Sequence, residues 1–146
     1  MLTVRDVMTS RVAAVGPGAT LKQVAETLLD RRISGLPVVD EAHRVLGVVS
    51  ETDIVAKTAE GVVVGGLSAV LADVSGGGRR LEATLAGEAM TSPAVTIDPD
   101  ASLSDAARLM IARRVNRVPV VENGRLAGIL TRADVVRAFT RSDTEI

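Results

Sequence analysis

The 146-residue sequence contains no cysteine, no tryptophan and no tyrosine, and its single phenylalanine is Phe139. Without cysteine, disulfides, thiolate catalysis and cysteine-based zinc sites are excluded together. The one histidine, His43, stands in the polar turn from Asp40 to Arg44, where solvent exposure is expected, and a lone imidazole assembles no metal or acid–base cluster within a chain. The scarcity of aromatic rings removes the stacking platforms used on single-stranded nucleic acid. A formal net charge of −1 builds in no attraction to nucleic acid or to an anionic membrane. No apolar run approaches the roughly 18 residues of a membrane span, and the start, Met-Leu-Thr-Val-Arg-Asp, lacks the basic and apolar regions of a signal peptide. With 47% hydrophobic and 24% charged residues, the expectation is a cytoplasmic globular protein with neither a nucleic-acid nor a membrane partner.

What the chain does contain is a copy of itself. Met8-Thr9-Ser10 returns as Met90-Thr91-Ser92, and aligning Met8–Asp40 with Met90–Glu122 gives 12 identities in 33 positions. One residue is then dropped in a turn, after which Gly47–Val55 matches Gly128–Val136. The expected organisation is a first repeat over 1–58, a partly apolar and then Gly-rich linker over 59–87, and a second repeat over 88–146.

Each copy opens with a short apolar stretch, Val12–Val15 or Ala94–Ile97, read as a strand. Pro17-Gly18 and Asp98-Pro99-Asp100 break the chain. A helix follows, marked by Thr20-x-x-Gln23 in one copy and Ser102-x-x-Asp105 in the other. Leu21, Val24, Ala25 and Leu28, like Leu103, Ala106, Ala107 and Met110, recur at helical spacing and define a core face. Arg31-Arg32 and Arg113-Arg114 suit the C-terminal dipole of these helices. Leu36-Pro37-Val38-Val39 and Val118-Pro119-Val120-Val121 read as strands opened by proline, and Asn123-Gly124 is a hairpin signal. The fold class is therefore α+β, each repeat strand-helix-strand-strand-helix, the two related by a pseudo-two-fold axis and packed through their sheets. In the linker, 61–74 is apolar enough for a loose helix. Gly76-Gly77-Gly78-Arg79-Arg80 lacks the Gly-Lys-[Ser/Thr] ending of a phosphate loop and reads as a flexible connection.

The most informative repeated stretch ends in Ser50-Glu51-Thr52-Asp53 and Thr131-Arg132-Ala133-Asp134. A hydroxyl residue before a helix, with a carboxylate three positions on, is a capping pattern. The same geometry also suits a ligand, because helix N-termini attract phosphate and a carboxylate holds a ribose diol in other nucleotide folds. From spacing alone the cap is the favoured reading, since such short patterns match often by chance.

The duplicated Met-Thr, the Leu/Val-Pro-Val-Val strand and Gly-Val/Ile-Val/Leu-Ser/Thr-x-x-Asp together resemble a tandem pair of cystathionine-β-synthase (CBS) domains, over about Val7–Val55 and Ala89–Val136. The resemblance implies a non-catalytic regulatory module that binds AMP, ADP, ATP or S-adenosylmethionine in clefts between its halves, with no catalytic cofactor, and that dimerises. It implies one site joining Ser50, Thr52 and Asp53 to Thr91, Val115, Asn116, Arg117 and Val118. There Asp53 holds the ribose, Ser50 and Arg117 meet phosphate, and Val48, Val115 and Val118 enclose the base. It implies a second joining Thr131 and Asp134 to Thr9, Ile33, Ser34, Gly35 and Leu36, with Ile129 on the base. Gly35 replaces Arg117 in that second set, which removes a charge-assisted phosphate anchor. A phosphorylated adenosine is thus expected to favour the first site.

No output domain is evident, so the effector is expected to be a separate protein or a second copy. The other reading is a ligand-free structural or dimerisation module in which Asp53 and Asp134 are only caps. An enzyme is the poorest reading: no nucleophile–base pair is found, so neither catalytic residues nor metal ligands are nominated.

Overall fold

The computed structural model describes residues 1–59 and 81–140. The expected helix over 61–74 and the Gly76–Arg80 stretch lie outside the described residues. Two compact units are built around the two repeats, and neither is a continuous piece of chain. The repeat-1 unit holds Ala13–Glu41, 46–59 and 81–92; the repeat-2 unit holds Met1–Val12, Ala42–Val45 and 93–140.

In the repeat-1 unit, helix α2 (Leu21–Arg31) is capped by Thr20, whose hydroxyl accepts from the Gln23 N–H while the Gln23 side chain accepts from the Thr20 N–H. Strands β1 (Gly35–Val39) and β2 (Val45–Ser50) pair, and a helix α3 begins at 51 and is described to 59. The repeat-2 unit has the same series: α5 (Leu103–Arg113) capped by Ser102, then β3 (Arg117–Glu122), β4 (Arg125–Thr131) and α6 (Arg132–Phe139). β3 and β4 are antiparallel across a two-residue turn in which Asn123 and Gly124 both have positive φ, as the hairpin signal requires. Helices α2 and α5 end on Arg32 and Arg114, both left-handed, and His43 is exposed.

The strands expected at Val12–Val15 and Ala94–Ile97 are each reduced to one bridging residue. Val15 lies parallel to Val38 and Ile97 parallel to Val120. The Val15 N–H donates to the Pro37 carbonyl and its own carbonyl accepts from Val39; Ile97 repeats this with Pro119 and Val121. The next bond in one direction needs an N–H from Pro37 or Pro119, and in the other from Pro17 or Pro99. Proline has none, so the ladder stops on both sides.

Two short helices complete the cores: α1 (Val4–Val7) in the repeat-2 unit and α4 (Ala86–Ala89) in the repeat-1 unit. Val4 packs with Leu103, Ala106, Met110, Val118, Val120 and Leu130. Ala86 packs with Leu21, Val24, Leu36, Val38 and Val49. Thus the segment leading into each copy is buried with the strands and helices of the other. The orphan N–H groups of these short helices are satisfied by loop carbonyls. Val4 and Arg5 donate to Ala101 and Pro99, and Ala86 and Gly87 donate to Ala19 and Pro17.

After α1 and α4 the Met-Thr pairs run across the last strand of each unit. Thr9 exchanges two backbone hydrogen bonds of 2.9 Å with Ile129, and Thr91 exchanges bonds of 2.9 and 3.1 Å with Val48. The glycine beside each crossing makes it possible. A Cβ on Gly128 would stand 2.7 Å from the Thr9 carbonyl oxygen, and one on Gly47 2.6 Å from that of Thr91. This close approach accounts for the glycine that opens the duplicated stretch.

Candidate functional site

At the tip of β2 the Ser50 N–H donates to Asp53 Oδ2 at 2.8 Å, and the Ser50 hydroxyl donates to the same oxygen at 3.2 Å. At the tip of β4 the Thr131 N–H donates to Asp134 Oδ2 at 2.9 Å, while the Asp134 N–H donates to the Thr131 hydroxyl at 3.2 Å. Both turns are caps, as their spacing implies. They differ in the second carboxylate oxygen. Asp134 Oδ1 is held by Arg137, one helical turn on, whereas among the described residues no second partner of Asp53 is present. The matching position in α3 is Ala56.

The structure groups the candidate residues partly as expected and partly otherwise. Thr91 lies against Val48, and Thr9 against Ile129. The segments before the proline-containing strands go to the turns of their own repeats. Register pairs Arg117 with Thr131, and the Arg132 N–H donates to the Asn116 carbonyl at 2.8 Å. In repeat 1 the Glu51 N–H donates to the Ser34 carbonyl at 2.9 Å. Arg117 and Asn116 therefore flank the Thr131 turn, and Ser34 and Gly35 belong with the Ser50 turn, because antiparallel pairing within each hairpin brings the start of one strand to the end of the next. Val118, expected on the base, and Leu36, expected in the second site, are 1% and 0% exposed, their side chains lying in the two cores. Val115 and Ile33 are only partly buried at the core margins, and Thr52 is exposed.

Beside the Thr131 turn lies an open cavity of about 500 Å³, lined by Asn116 and Arg117 before and on β3, Thr131 at the end of β4, and Arg132, Ala133, Val136 and Arg137 on the first turns of α6. That size suits a small organic ligand. Its wall combines a helix N-terminus, three guanidinium groups and two apolar side chains, a set that favours an anion carrying an apolar group. Arg132 and Arg137 were not singled out by motif reasoning. The signal was nonetheless in the duplication, which aligns Arg117, Arg132 and Arg137 with Gly35, Glu51 and Ala56. Among the described residues no group of three His, Asp or Glu side chains is placed to hold a metal ion, and no helix is long and apolar enough to cross a membrane.

Comparison with known proteins gives this geometry a family. The CBS-domain model matches residues 4–60 and 86–141. Hypoxic response protein 1 of Mycobacterium tuberculosis is 32% identical over 94% of this chain and 85% of its own length. The chloroplastic CBS domain-containing proteins CBSX1 and CBSX2 of Arabidopsis thaliana are 30% and 32% identical over 93% of this chain, which spans 63% of their length. A crystal structure of CBSX2 in complex with AMP superposes with a TM-score of 0.77 at 33% identity, covering 97% of this chain and 98% of that one. The chain belongs to the CBS-domain family, as a pair of CBS repeats.

Proposed function

We propose that this chain is a cytoplasmic, homodimeric, non-catalytic regulatory module that binds an adenosine-containing ligand at its hydroxyl-x-x-Asp turns and passes the bound state to a separate effector protein. The observation that carries the reading is the arginine-lined cavity at the Thr131 turn, in a chain whose relative CBSX2 has been crystallised with AMP. Binding acts on an effector only through differential affinity for two conformations, which is the energy source required here. The homodimer is supported by apolar side chains left outside at matching positions of both repeats. Leu29 and Ile111 are 78% and 80% exposed, and Val55 and Val136 are 64% and 58% exposed.

A second reading, a structural module with empty turns, is favoured by Asp134, whose two carboxylate oxygens are already engaged by Thr131 and Arg137. Isothermal titration calorimetry with AMP, ADP, ATP and S-adenosylmethionine on the wild type, Asp53→Ala and Asp134→Ala separates the two. The proposal expects saturable heat from at least one ligand and a loss of about tenfold or more in affinity in one variant that still melts cooperatively. No heat from any ligand, with lowered melting temperatures in both variants, leaves the aspartates as caps only. Sedimentation equilibrium of the wild type against Ile111→Lys checks the dimer.

A further inference from the structure

With no cysteine, the chain holds all of its sulfur in four methionines, thioethers that a peroxide converts reversibly to sulfoxides. Two of them occupy the same place in the two repeats. Met8 ends α1, its N–H donating to the Val4 carbonyl at 2.8 Å, and Met90 ends α4, its N–H donating to the Ala86 carbonyl at 2.9 Å. Each then leads into the threonine that crosses the last strand of its unit. Each thioether is packed on the glycine of that strand: a Cβ on Gly128 would stand 2.7 Å from Met8 Sδ, and one on Gly47 2.7 Å from Met90 Sδ. Both side chains are partly buried at the margins of the two cores. Met8 and Met90 thus combine solvent access with a sulfur that holds structure. The other two methionines lack one or the other property, Met1 being 93% exposed and Met110 6% exposed inside the repeat-2 core.

We infer that Met8 and Met90 are paired oxidation sites, at which conversion to the sulfoxide by a peroxide releases the Met-Thr crossings and reduction restores them. The sulfur lone pair attacks one peroxide oxygen, the S–O bond forms as the O–O bond breaks, and the departing hydroxide takes the remaining proton to become water. Methionine gives up two electrons and the peroxide gains them. A dithiol reductant returns them, becoming a disulfide while the sulfoxide oxygen leaves as water. The new oxygen is polar and stands on a sulfur packed where not even a methyl group fits on the glycine opposite. The oxidised side chain swings out of the core margin, and a four-residue helix has little stability of its own with which to resist. With it go the end of α1 or α4 and the two backbone bonds that Thr9 exchanges with Ile129, or Thr91 with Val48. Ile129 and Val48 stand two residues before Thr131 and Ser50, so a loosened crossing reaches the hydroxyl-x-x-Asp turns.

The test titrates the purified full chain with hydrogen peroxide, maps the products by peptide mass spectrometry and follows amide hydrogen exchange. The inference expects Met1 to oxidise first, Met8 and Met90 next while the protein is folded, and Met110 only as the chain unfolds. Peptides covering Thr9, Val48, Thr91 and Ile129 are expected to exchange about tenfold or more faster once Met8 and Met90 are oxidised. Treatment with methionine sulfoxide reductases A and B, one for each sulfoxide epimer, is expected to restore slow exchange. The double variant Met8→Leu, Met90→Leu nearly conserves side-chain volume, so it is expected to fold and to keep slow exchange under the same peroxide. Oxidation of Met8 and Met90 no faster than that of Met110 overturns the inference. So does their oxidation without faster exchange at the crossings, and both of these outcomes are read on the wild type alone. Equal loss of protection in the wild type and the double variant overturns it as well, because the damage then arises elsewhere.

Discussion

The Ser50 turn and the Thr131 turn share a cap, a preceding glycine and a crossing Met-Thr segment, yet they differ in what surrounds the carboxylate. In repeat 2 three arginines line the cavity at the Asp134 turn and one of them is bonded to Asp134. In repeat 1 the neighbours are Glu51 and Ala56, and Asp53 is half-buried with only Ser50 against it among the described residues. Duplication thus copied the backbone device and left the side chains around it to diverge. What the two copies share is scaffold, and where they differ is in the charge around the carboxylate.

The comparison breaks most readily at the shared scaffold. Gly47→Ala and Gly128→Ala each press a methyl group onto a backbone carbonyl oxygen and a methionine side chain. Overpacking of this kind costs about 1–3 kcal/mol. Chemical denaturation is expected to show losses of similar size in the two variants. A loss at one glycine only would mean that the two crossings are not equivalent, and the charge difference could no longer be read against a constant background.

Next in size are the caps. Asp134→Ala removes the acceptor of the Thr131 N–H and leaves Arg137 without its buried partner, for a cost of about 1–2 kcal/mol. Asp53→Ala removes the acceptor of the Ser50 N–H and hydroxyl but strands no buried ion-pair partner, for about 1 kcal/mol. Urea unfolding is expected to rank Asp134→Ala as the more destabilising. The reverse order would show that the Arg137 contact contributes nothing to holding the turn.

The sequence made the scaffold legible because its signals are local. Thr20-x-x-Gln23, Ser102-x-x-Asp105 and Asn123-Gly124 each specify backbone geometry within a few residues, and each forms as read. The α1 and α4 turns were not legible. Four-residue helices have too short a period to show, and their stability comes from burying Val4 and Ala86 in cores distant in sequence. The strand expectations at Val12–Val15 and Ala94–Ile97 failed because apolar runs report burial, while the ladder depends on N–H groups that four prolines lack. The grouping of Arg117 with Thr131 was only partly legible: counting back from the Asn-Gly turn along both strands pairs Arg117 with Leu130, and a register shift between Val120 and Val121 moves it to Thr131. Arg132 and Arg137 carry no motif. They stand out only when the two repeats are compared position by position.

The smallest expected effect is also the sharpest probe of the difference. Ala56→Arg gives Asp53 the partner that Arg137 gives Asp134, an i,i+3 pair with the acidic residue nearer the helix N-terminus. Such a pair stabilises by about 0.2–0.5 kcal/mol, so the urea midpoint should rise slightly at low salt and the gain should fade as salt screens it. The same substitution fills Asp53 Oδ1 with a guanidinium. A ligand held through that oxygen must then displace the arginine, so calorimetry on the Ser50 turn should show weaker binding in a protein that is marginally more stable. Stability and affinity moving in opposite directions would identify the open carboxylate oxygen of Asp53 as a binding group. If both rise together, the introduced arginine has itself become a phosphate contact, and charge alone would account for how the two turns differ.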